Sequence, residues 1–397
     1  MKPEILLGVT GGIAAYKSAE IASSLTQNGY RVSTIMTEAA KEFITPLTFR
    51  SLTQNPVEHD MFSPPVKHNV KHISLADRAD IIVIAPATAN FLARVAGGKG
   101  DDLLSTVLLA SNAPVLLAPA MNVNMYDKEA VQENIQNLQK RGYKIISPDS
   151  GYLACGVKGK GRMVEPDQVI KIINRELTPK DLNEKKFLVT AGPTREPVDG
   201  VRYFSNYSSG RMGYALARKI VHRGGKVQLI SGPTHLNPPG GCEINVVESA
   251  EEMFEKTTEL FSRCDAAILA AAVADFRPKN FTEGKIKKEN KDKFSLTFDF
   301  NRDIMKNLVA NKAADQIVAG FAAESECLLK RAREKFRRKN PDLIMANNIS
   351  LSDRGFGAEN NAGYIITEDQ ELKISLRSKN ELADVILDEI KNLLGRQ

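Results

Sequence analysis

The feature that most limits what this chain can fold into is a pattern that begins twice. An apolar strand runs into a glycine-bearing turn and a helix start at Ile5-Leu6-Leu7-Gly8-Val9-Thr10-Gly11-Gly12-Ile13-Ala14. A second strand, Lys186–Thr190, runs into Ala191-Gly192-Pro193. Between the two lies a polar, proline-bearing stretch, Thr178-Pro179-Lys180-Asp181-Leu182-Asn183-Glu184. Short β-branched runs alternate with segments of helical period through both halves, which predicts parallel sheets covered by helices on both faces. The expected fold class is α/β: two Rossmann-like doubly wound domains, residues 1–180 and 181–397. A chain of 397 residues is too long for one ordinary core and suits two.

In the first half the strands read Glu4–Val9, Tyr30–Met36, Ile81–Ala85, Val115–Ala118 and Lys144–Ser147. Helices fall at Ala14–Asn28, stopped by Asn28-Gly29, and at Lys128–Arg141, stopped by Gly142. A glycine-rich stretch, Gly151–Gly161, leads to a short helix, Pro166–Glu176. In the second half strands are expected at Lys186–Thr190, Lys226–Ile230, Ala266–Ala271, Gln316–Phe321 and Asp342–Ala346, with a strand pair near Ala362–Leu376. Its helices are Met212–Arg223, Ala250–Arg263 and a closing Glu381–Leu394.

No apolar run is long enough to span a membrane, and Met1-Lys2-Pro3-Glu4-Ile5 passes directly into a strand, leaving no room for a signal peptide. Cys155, Cys242, Cys264 and Cys327 are widely spaced with no C-x-x-C pair. That is poor material for zinc or a disulfide framework and suits a reducing cytoplasm. The net charge of +6, from 54 basic and 48 acidic residues, favours phosphorylated ligands without indicating nucleic acid.

In an open α/β sheet, ligands sit beyond the carboxyl ends of the strands, where helix-start N–H groups hold phosphate. Two restarts therefore imply two crevices. In the first, the glycine spacing departs from G-x-G-x-x-G, and no acidic residue ends the second strand to take a ribose, so a mononucleotide is preferred over NAD. Alone, such a turn serves strand–helix packing as readily as phosphate. Three more strand ends carry small and polar residues: Met36-Thr37-Glu38-Ala39-Ala40, Ala85-Pro86-Ala87-Thr88-Ala89-Asn90 and Ala118-Pro119-Ala120-Met121-Asn122-Val123-Asn124-Met125-Tyr126. His68 and His72 have i,i+4 spacing but no third metal ligand nearby. Cys155 stands among glycines rather than on an apolar face, which argues against a buried structural thiol.

Together with Lys71-His72-Ile73, these segments resemble the homo-oligomeric flavin-containing cysteine decarboxylases over roughly residues 4–175. Pro119–Met125 matches that family's P-x-M-N-x-x-M motif, and Ala154-Cys155-Gly156 through Gly161-Arg162-Met163 matches its mobile substrate-recognition flap. The resemblance implies FMN held by Gly11, Gly12, Ile13, Thr37 and Thr88. It also implies His72 as the base that assists thiol oxidation, Asn122 as the amide that holds the substrate carboxylate, and Cys155 as the proton donor to the enethiol product. The chemistry has a reason. A cysteine carboxylate has no electron sink, whereas oxidation of CH₂–SH to a thioaldehyde places it β to a C=S group that accepts the electrons as CO₂ leaves.

In the second half, Ala191–Asp199 contains two prolines and cannot be regular helix. Arg202–Gly213 then packs hydroxyls, an amide, cations and glycines ahead of a helix, which suits an anion at a helix N-terminus or a plain polar loop. Ala270–Phe276 ends a strand in small residues and then Asp275, which can meet a ribose, a base edge or a metal. Lys279–Lys293 holds six lysines and three acids, the composition of a solvated loop or of a flap that closes over a triphosphate with Lys285 in its core. Lys335 and Lys339 are one helical turn apart and serve either a ligand or the dipole of a helix C-terminus.

These motifs resemble the phosphopantothenate–cysteine ligases over roughly residues 185–395, and the order of the halves resembles that of the bacterial bifunctional coenzyme A biosynthesis proteins. The resemblance implies that CTP, with Mg²⁺ or Mn²⁺, activates the carboxylate of 4′-phosphopantothenate as an acyl-cytidylate, releasing pyrophosphate. L-Cysteine then attacks and CMP leaves. Carried onto this chain, Ala271, Ala272, Val273, Asp275, Lys285, Asn301, Arg302, Asp303, Ile304, Phe321, Lys335 and Lys339 would form the CTP site, with Asp275 also facing the metal. Asn206 would act on the acyl-cytidylate, with Arg202 and Lys285 in support. Arg302 departs from the commonest residue at its motif position, where backbone contacts tolerate it. A homo-oligomer is implied, with trimer-based flavin domains and paired ligase domains.

Two other functions fit the sequence less well. A nucleic-acid role for the basic segment 279–293 lacks interleaved aromatics beyond Phe281 and Phe294, and the chain has no tryptophan to stack bases. An NAD(P)-dependent reductase is disfavoured by the turn spacing and is distinguished by flavin absorption that nicotinamide leaves unchanged.

Overall fold

A computed structural model of the protein describes residues 2–61, 70–152, 158–287, 295–324, 327–348 and 358–396. The chain divides into two compact units, Met1–Thr178 and Pro179–Gln397.

In the first unit six parallel strands lie in the order Val57–Glu58, Arg31–Met36, Glu4–Val9, Ile81–Ala87, Val115–Pro119, Lys144–Ile145. Numbered along the chain this is 3-2-1-4-5-6, the doubly wound order, and it reverses between Glu4–Val9 and Ile81–Ala87. Strand side chains alternate between two cores. Ile5, Leu7 and Val9 pack with Ile21 and Leu25 of helix Ala15–Gln27 and Val169 and Ile173 of helix Pro166–Leu177. Leu6 faces the other way, with Ile82, Ile84, Phe91 and Leu104. Burial on both faces explains why these strands read as unbroken apolar runs.

The second unit repeats the order and extends it. Glu243–Val246, Lys226–Ser231, Lys186–Ala191, Ala266–Leu269, Ile317–Glu324 and Leu343–Asn348 are parallel; Asn360–Ile366 and Glu371–Ser378 add an antiparallel edge. On one face, Phe187, Val189, Leu343 and Met345 pack against helices Arg211–His222 and Lys379–Leu394. On the other, Leu188 and Val318 pack against helices Ala250–Phe261 and Ile304–Asn311, and Ile344 and Ala346 against Ala332 of helix Leu328–Lys339.

Several elements differ from the sequence expectation, among them strand Glu243–Val246 and helices Ala89–Ala96 and Ile304–Asn311, which it did not include, and three differences shape the sites or their surroundings. The strand expected to reach Ala271 stops at Leu269, because side chains and a loop carbonyl take over its partners. Ala271 N–H donates to Thr190 Oγ1 (3.2 Å), Ala272 N–H to Gly192 O (2.9 Å) and Ala274 N–H to Thr194 Oγ1 (3.0 Å). The glycine-rich stretch contributes to an antiparallel hairpin, Asp149–Tyr152 with Lys158–Arg162. Helix Leu103–Ala110 has no counterpart in the sequence reading. Its LLSTVLLA run is apolar nearly all round and lacks a helical stripe, while its start is set by a capping box between Asp102 and Ser105. Among the described residues no helix is long and apolar enough to cross a membrane.

Candidate active sites

Each sheet opens a cavity at the carboxyl ends of its strands, where the order reverses. The first, of about 880 Å³, is lined by Thr10–Ala14, Thr37–Ala39, Thr88–Phe91, Ala120–Asn122, Met125 and Gly161–Met163, among others. Four strand ends thus meet there. Gly11, Gly12, Ile13, Thr37, Thr88 and Asn122 all face this space.

The local chemistry fixes the walls. A Cβ on Gly11 would stand 2.4 Å from Ala39 Cβ and 2.7 Å from its backbone, so only glycine lets the first and second turns touch. Gly12 has more room, with Thr88 Cγ2 at 3.5 Å from such an atom. Thr10 Oγ1 donates to Pro86 O (2.7 Å) and accepts from Thr88 N–H (3.2 Å), tying the first turn to the fourth strand end. Thr88 then caps helix Ala89–Ala96, accepting from Phe91 N–H (3.4 Å). Asn122 caps the short helix Val123–Tyr126, its Oδ1 accepting from Asn124 N–H (2.8 Å).

Cations on this cavity are answered within the unit. Lys17 is buried and donates to Met163 O (2.8 Å) and Glu165 Oε1 (3.0 Å). Arg162 also pairs with Glu165 (2.7 Å), and Arg94 pairs with Asp101 (3.3 Å) and Asp102. The Lys17 hydrogen bond and charge, with Arg162, hold the Glu165 carboxyl below its usual range. What remains is small and apolar, suited to a planar ring, with backbone amides for a phosphate. His72 is half-buried on helix Lys71–Arg78 but does not line the cavity of a single chain. Cys155 and His68 lie outside the described residues.

The second cavity, of about 970 Å³, gathers Asn206, Ala271, Ala272, Val273, Asp275, Asn301, Arg302, Asp303, Ile304, Phe321, Lys335 and Lys339. These residues come from segments spread over more than half of the unit. The hydroxyls of Thr190 and Thr194 that end the strand early also shape the Ala270–Ala274 wall. Asn206 is oriented by its Nδ2, which donates to Val273 O (2.9 Å).

Several of these side chains hold the site together. Asn301 Nδ2 donates to Ala274 O (2.9 Å) and its Oδ1 accepts from Arg277 (3.0 Å). Asp303 caps helix Ile304–Asn311 and bridges to Lys339 Nζ (2.7 Å). Burial alone would raise the Asp303 carboxyl, but the hydrogen bonds from Lys339 and the Lys306 N–H, with the charges of Lys339 and Lys335, hold it low. Lys335 donates to Phe321 O (2.7 Å), and burial, reinforced by the Lys339 charge, lowers its ammonium below the ordinary lysine value. Arg302 turns its guanidinium outward onto Glu251 and over the Phe254 ring, 3.9 Å from the centroid. What it offers the cavity is therefore chiefly backbone.

Two expected residues are not brought to this space. Arg202 is drawn onto Asp199 (3.1 Å) and the Ile286 carbonyl (3.4 Å), while Ile286 N–H donates to Asp199 (3.1 Å). Lys285, exposed on the neighbouring segment, thus shares a flank with Arg202 outside the cavity; residues 288–294 of the basic segment lie outside the described residues. Among the described residues no group of three or more His, Cys, Asp or Glu is arranged to hold a metal. Asp275, exposed on the wall, is a single carboxylate, which fits Mg²⁺ carried mainly by nucleotide phosphates. Conversely, the cavity includes Arg211, Asn347, Asn361 and Lys379, which the sequence did not single out. Ser378-x-x-Glu381 is a capping-box signal that marks Lys379 as a cation in a helix's first turn, an unfavourable place without an anion nearby.

Residues 1–178 match the Flavoprotein family, and residues 182–394 match the family of the DNA/pantothenate metabolism flavoprotein C-terminal domain. The chain is 43% identical over 392 residues to the Coenzyme A biosynthesis bifunctional protein CoaBC of Vibrio parahaemolyticus, covering 98% of each. It is 44% identical over 396 residues to that of Bacillus subtilis, covering 98% of this chain and 97% of the other. A crystal structure of the C-terminal domain of a CoaBC protein superposes with a TM-score of 0.47 at 35% identity, over 55% of this chain and 100% of that one.

Proposed function

The chain belongs to the family of bifunctional coenzyme A biosynthesis proteins, a flavoprotein decarboxylase half followed by a ligase half, and on that premise we propose how its two cavities divide the work. The second cavity acts first. It binds CTP with Mg²⁺, and 4′-phosphopantothenate attacks the α-phosphorus through its carboxylate to give the acyl-cytidylate and pyrophosphate. L-Cysteine then displaces CMP, forming the amide. The Ala271–Val273 wall, free of large side chains, lets the nucleotide lie against backbone. Asn206, held by Val273 O, positions the acyl group, and Asp275 would hold the metal together with the nucleotide phosphates.

The product, a cysteine amide with free carboxylate and thiol, is the substrate of the first cavity. The glycine cradle at Gly11 and Gly12, the Thr37 and Thr88 strand ends and the small apolar wall fit FMN. Bound there, FMN supplies the two-electron oxidation of CH₂–SH that makes loss of CO₂ possible, and returns those electrons at the end. Asn122 holds the departing carboxylate, and Cys155 donates the proton that completes the saturated thiol. His72 takes the thiol proton; because it does not line its own chain's cavity, a second copy must bring helix Lys71–Arg78 to the cavity mouth. Self-association is also supported by Ile13, Tyr16 and Met125, which are 63%, 54% and 48% exposed on the rim. Both reactions take place in the cytoplasm, where the Cys155 thiol stays reduced.

The observation that supports this function best is the convergence on one cavity of twelve positions from separate segments, Asn206, Ala271–Val273, Asp275, Asn301–Ile304, Phe321 and Lys335 with Lys339. The test is mass spectrometry of the full chain with 4′-phosphopantothenate, cysteine, CTP and Mg²⁺. Expected are CMP, pyrophosphate, CO₂ and 4′-phosphopantetheine. If no cysteine amide and no new thiol form, the assignment fails.

A further inference from the structure

The Asn206 amide stands at the end of a hairpin that carries its own support. Strands Arg195–Pro197 and Tyr203–Ser205 pair antiparallel with Arg195 opposite Ser205, so the register continued by one step puts Thr194 across from Asn206. Ser205 Oγ donates to Thr194 O (2.6 Å), which ties the two ends together. Asn206 lines the ligase cavity, whereas Thr194 does not and is 0% exposed. Thr194 therefore cannot touch a ligand, and whatever it does for the reaction it does through its neighbours.

Both residues grip one peptide group. The bond between Val273 and Ala274 offers its C=O to Asn206 Nδ2 (2.9 Å) and its N–H to Thr194 Oγ1 (3.0 Å). Along the wall 270–275, among the described residues, no other peptide is held on both edges by side chains. Thr190 Oγ1 takes only the N–H of Ala271 (3.2 Å), and Asn301 Nδ2 reaches only the carbonyl of Ala274 (2.9 Å). The contacts close into a ring: from Thr194 to Ala274, across the peptide to Asn206, along the chain to Ser205, and back to Thr194 O.

That ring decides how the Asn206 amide faces the cavity. A carbonyl can only accept, so Val273 O selects the NH₂ end of the amide and fixes the rotation of the side chain. A peptide whose N–H is already engaged is a stronger acceptor at its oxygen, because hydrogen bonds in series polarise one another away from water. Ala274 is 1% exposed, so water is no ready substitute for the Thr194 hydroxyl. Without that hydroxyl the Ala274 N–H is buried and unpaired, and the peptide loses the contact that fixes its plane.

We propose that Thr194 is a positioning residue for the cysteine-transfer half of the ligase reaction: its hydroxyl sets the Val273–Ala274 peptide, and that peptide sets the Asn206 amide against the acyl-cytidylate. The inference rests on the role given to Asn206 under the proposed function.

The test separates the two half-reactions of the full chain. CTP, Mg²⁺ and 4′-phosphopantothenate without cysteine report formation of the acyl-cytidylate; cysteine added afterwards reports its conversion to the amide. Thr194→Val keeps the side-chain volume and removes the acceptor. It should slow the cysteine step at least about tenfold, while the acyl-cytidylate forms within about threefold of the wild-type rate and accumulates. Thr194→Ser restores the hydroxyl and should return the cysteine step to within about threefold of wild type. In an Asn206→Ala background, Thr194→Val should slow that step by less than about twofold more, because the group it positions is gone.

A further loss of about tenfold in that background, or a normal cysteine step in Thr194→Val, overturns the inference. So does an effect confined to the KM for CTP, which would make Thr194 a support of the nucleotide wall alone. If Thr194→Val does not fold, Ser205→Ala opens the same ring from its partly exposed side. It should slow the cysteine step about threefold and spare the first step, and equal effects on both steps overturn the inference. The role of Asn206 fails separately: Asn206→Ala would then convert its acyl-cytidylate at the wild-type rate, whatever Thr194→Val does.

Discussion

The two cavities occupy the same place in two sheets of the same strand order, yet their walls are chemically opposite. In the first, Lys17, Arg94 and Arg162 are each met by a carboxylate of the same unit, and the rest of the wall is small and apolar. In the second, Arg211, Arg302 and Lys339 are met by Glu359 (3.8 Å), Glu251 and Asp303 (2.7 Å), but seven cations share the lining with only two carboxylates, Asp275 and Asp303. Strand order therefore decides where a ligand sits, and the residues at the strand ends decide which ligand it is. A neutralised apolar wall suits a flat ring; a wall with surplus positive charge suits a triphosphate and the charge that develops as it is displaced.

The largest effect should come from the group that touches only the ligase reaction. Asn206→Ala should lower cysteine-amide formation by about 100-fold or more and leave the acyl-cytidylate to accumulate in quenched samples, the scale seen for loss of one preorganised donor. Decarboxylation of supplied phosphopantothenoylcysteine should stay unchanged, because Asn206 is held entirely within the second unit. A parallel fall in both rates would break the separation of the two cavities. The mirror experiment is Cys155→Ala, which should still release CO₂ but not the saturated thiol, with ligation intact.

Next in size is the flavin cradle. Gly11→Val puts side-chain atoms where even a Cβ would stand 2.4 Å from Ala39, an overpacking that costs about 1–3 kcal/mol and closes the contact between two turns. The purified variant should carry about a tenth or less of the wild-type flavin, measured by visible absorption. Its ligase rate should not move. Full flavin content would show that this turn is only strand–helix packing.

The part of this arrangement legible in the sequence is the part written in local pattern. The two restarts, the unbroken apolar strands and the strand-end motifs at Ala85–Asn90 and Ala270–Phe276 follow from period and turn chemistry. What was hidden depends on distant partners. That Arg302 would turn out onto Glu251 and Phe254 needs helix Ala250–Phe261 beside it. That Arg202 would be captured by Asp199 needs the docking of the segment near Ile286. Asn347 and Asn361 looked like ordinary polar residues near a strand pair, and only strand register turns them toward the cavity.

A smaller effect concerns the charge surplus itself. Lys335→Met should raise the KM for CTP about tenfold, as expected for losing one charge-assisted contact, with little change in the KM for cysteine. Because burial and the Lys339 charge lower the Lys335 ammonium, its loss of charge begins at a lower pH than for a free lysine. Nucleotide affinity should therefore weaken on the alkaline side in wild type and lose that part of its pH dependence in Lys335→Met. If the two profiles run parallel, the surplus charge on this wall acts through Lys379 and Arg211 instead.

The smallest effect separates the frame of the second unit from its chemistry. Asp181 accepts from Arg223 Nε (2.8 Å) and Nη2 (2.7 Å) and pairs with Lys391 (2.8 Å), joining the start of the unit to two of its helices. The Arg223 hydrogen bonds, opposed by partial burial and aided by Lys391, lower its carboxyl from 3.8 to about 2. A carboxyl depressed in this way stabilises the fold fully above its unfolded value and loses that contribution as pH falls from about 4 towards 2. Lys391 is half-exposed, so solvent screening limits the stabilisation to roughly 1 kcal/mol, lost in Asp181→Asn. Thermal melts should show that variant less stable at pH 7 and closing on wild type near pH 2, with flavin content untouched. A variant whose deficit is the same at both pH values would show that Asp181 acts through packing rather than charge.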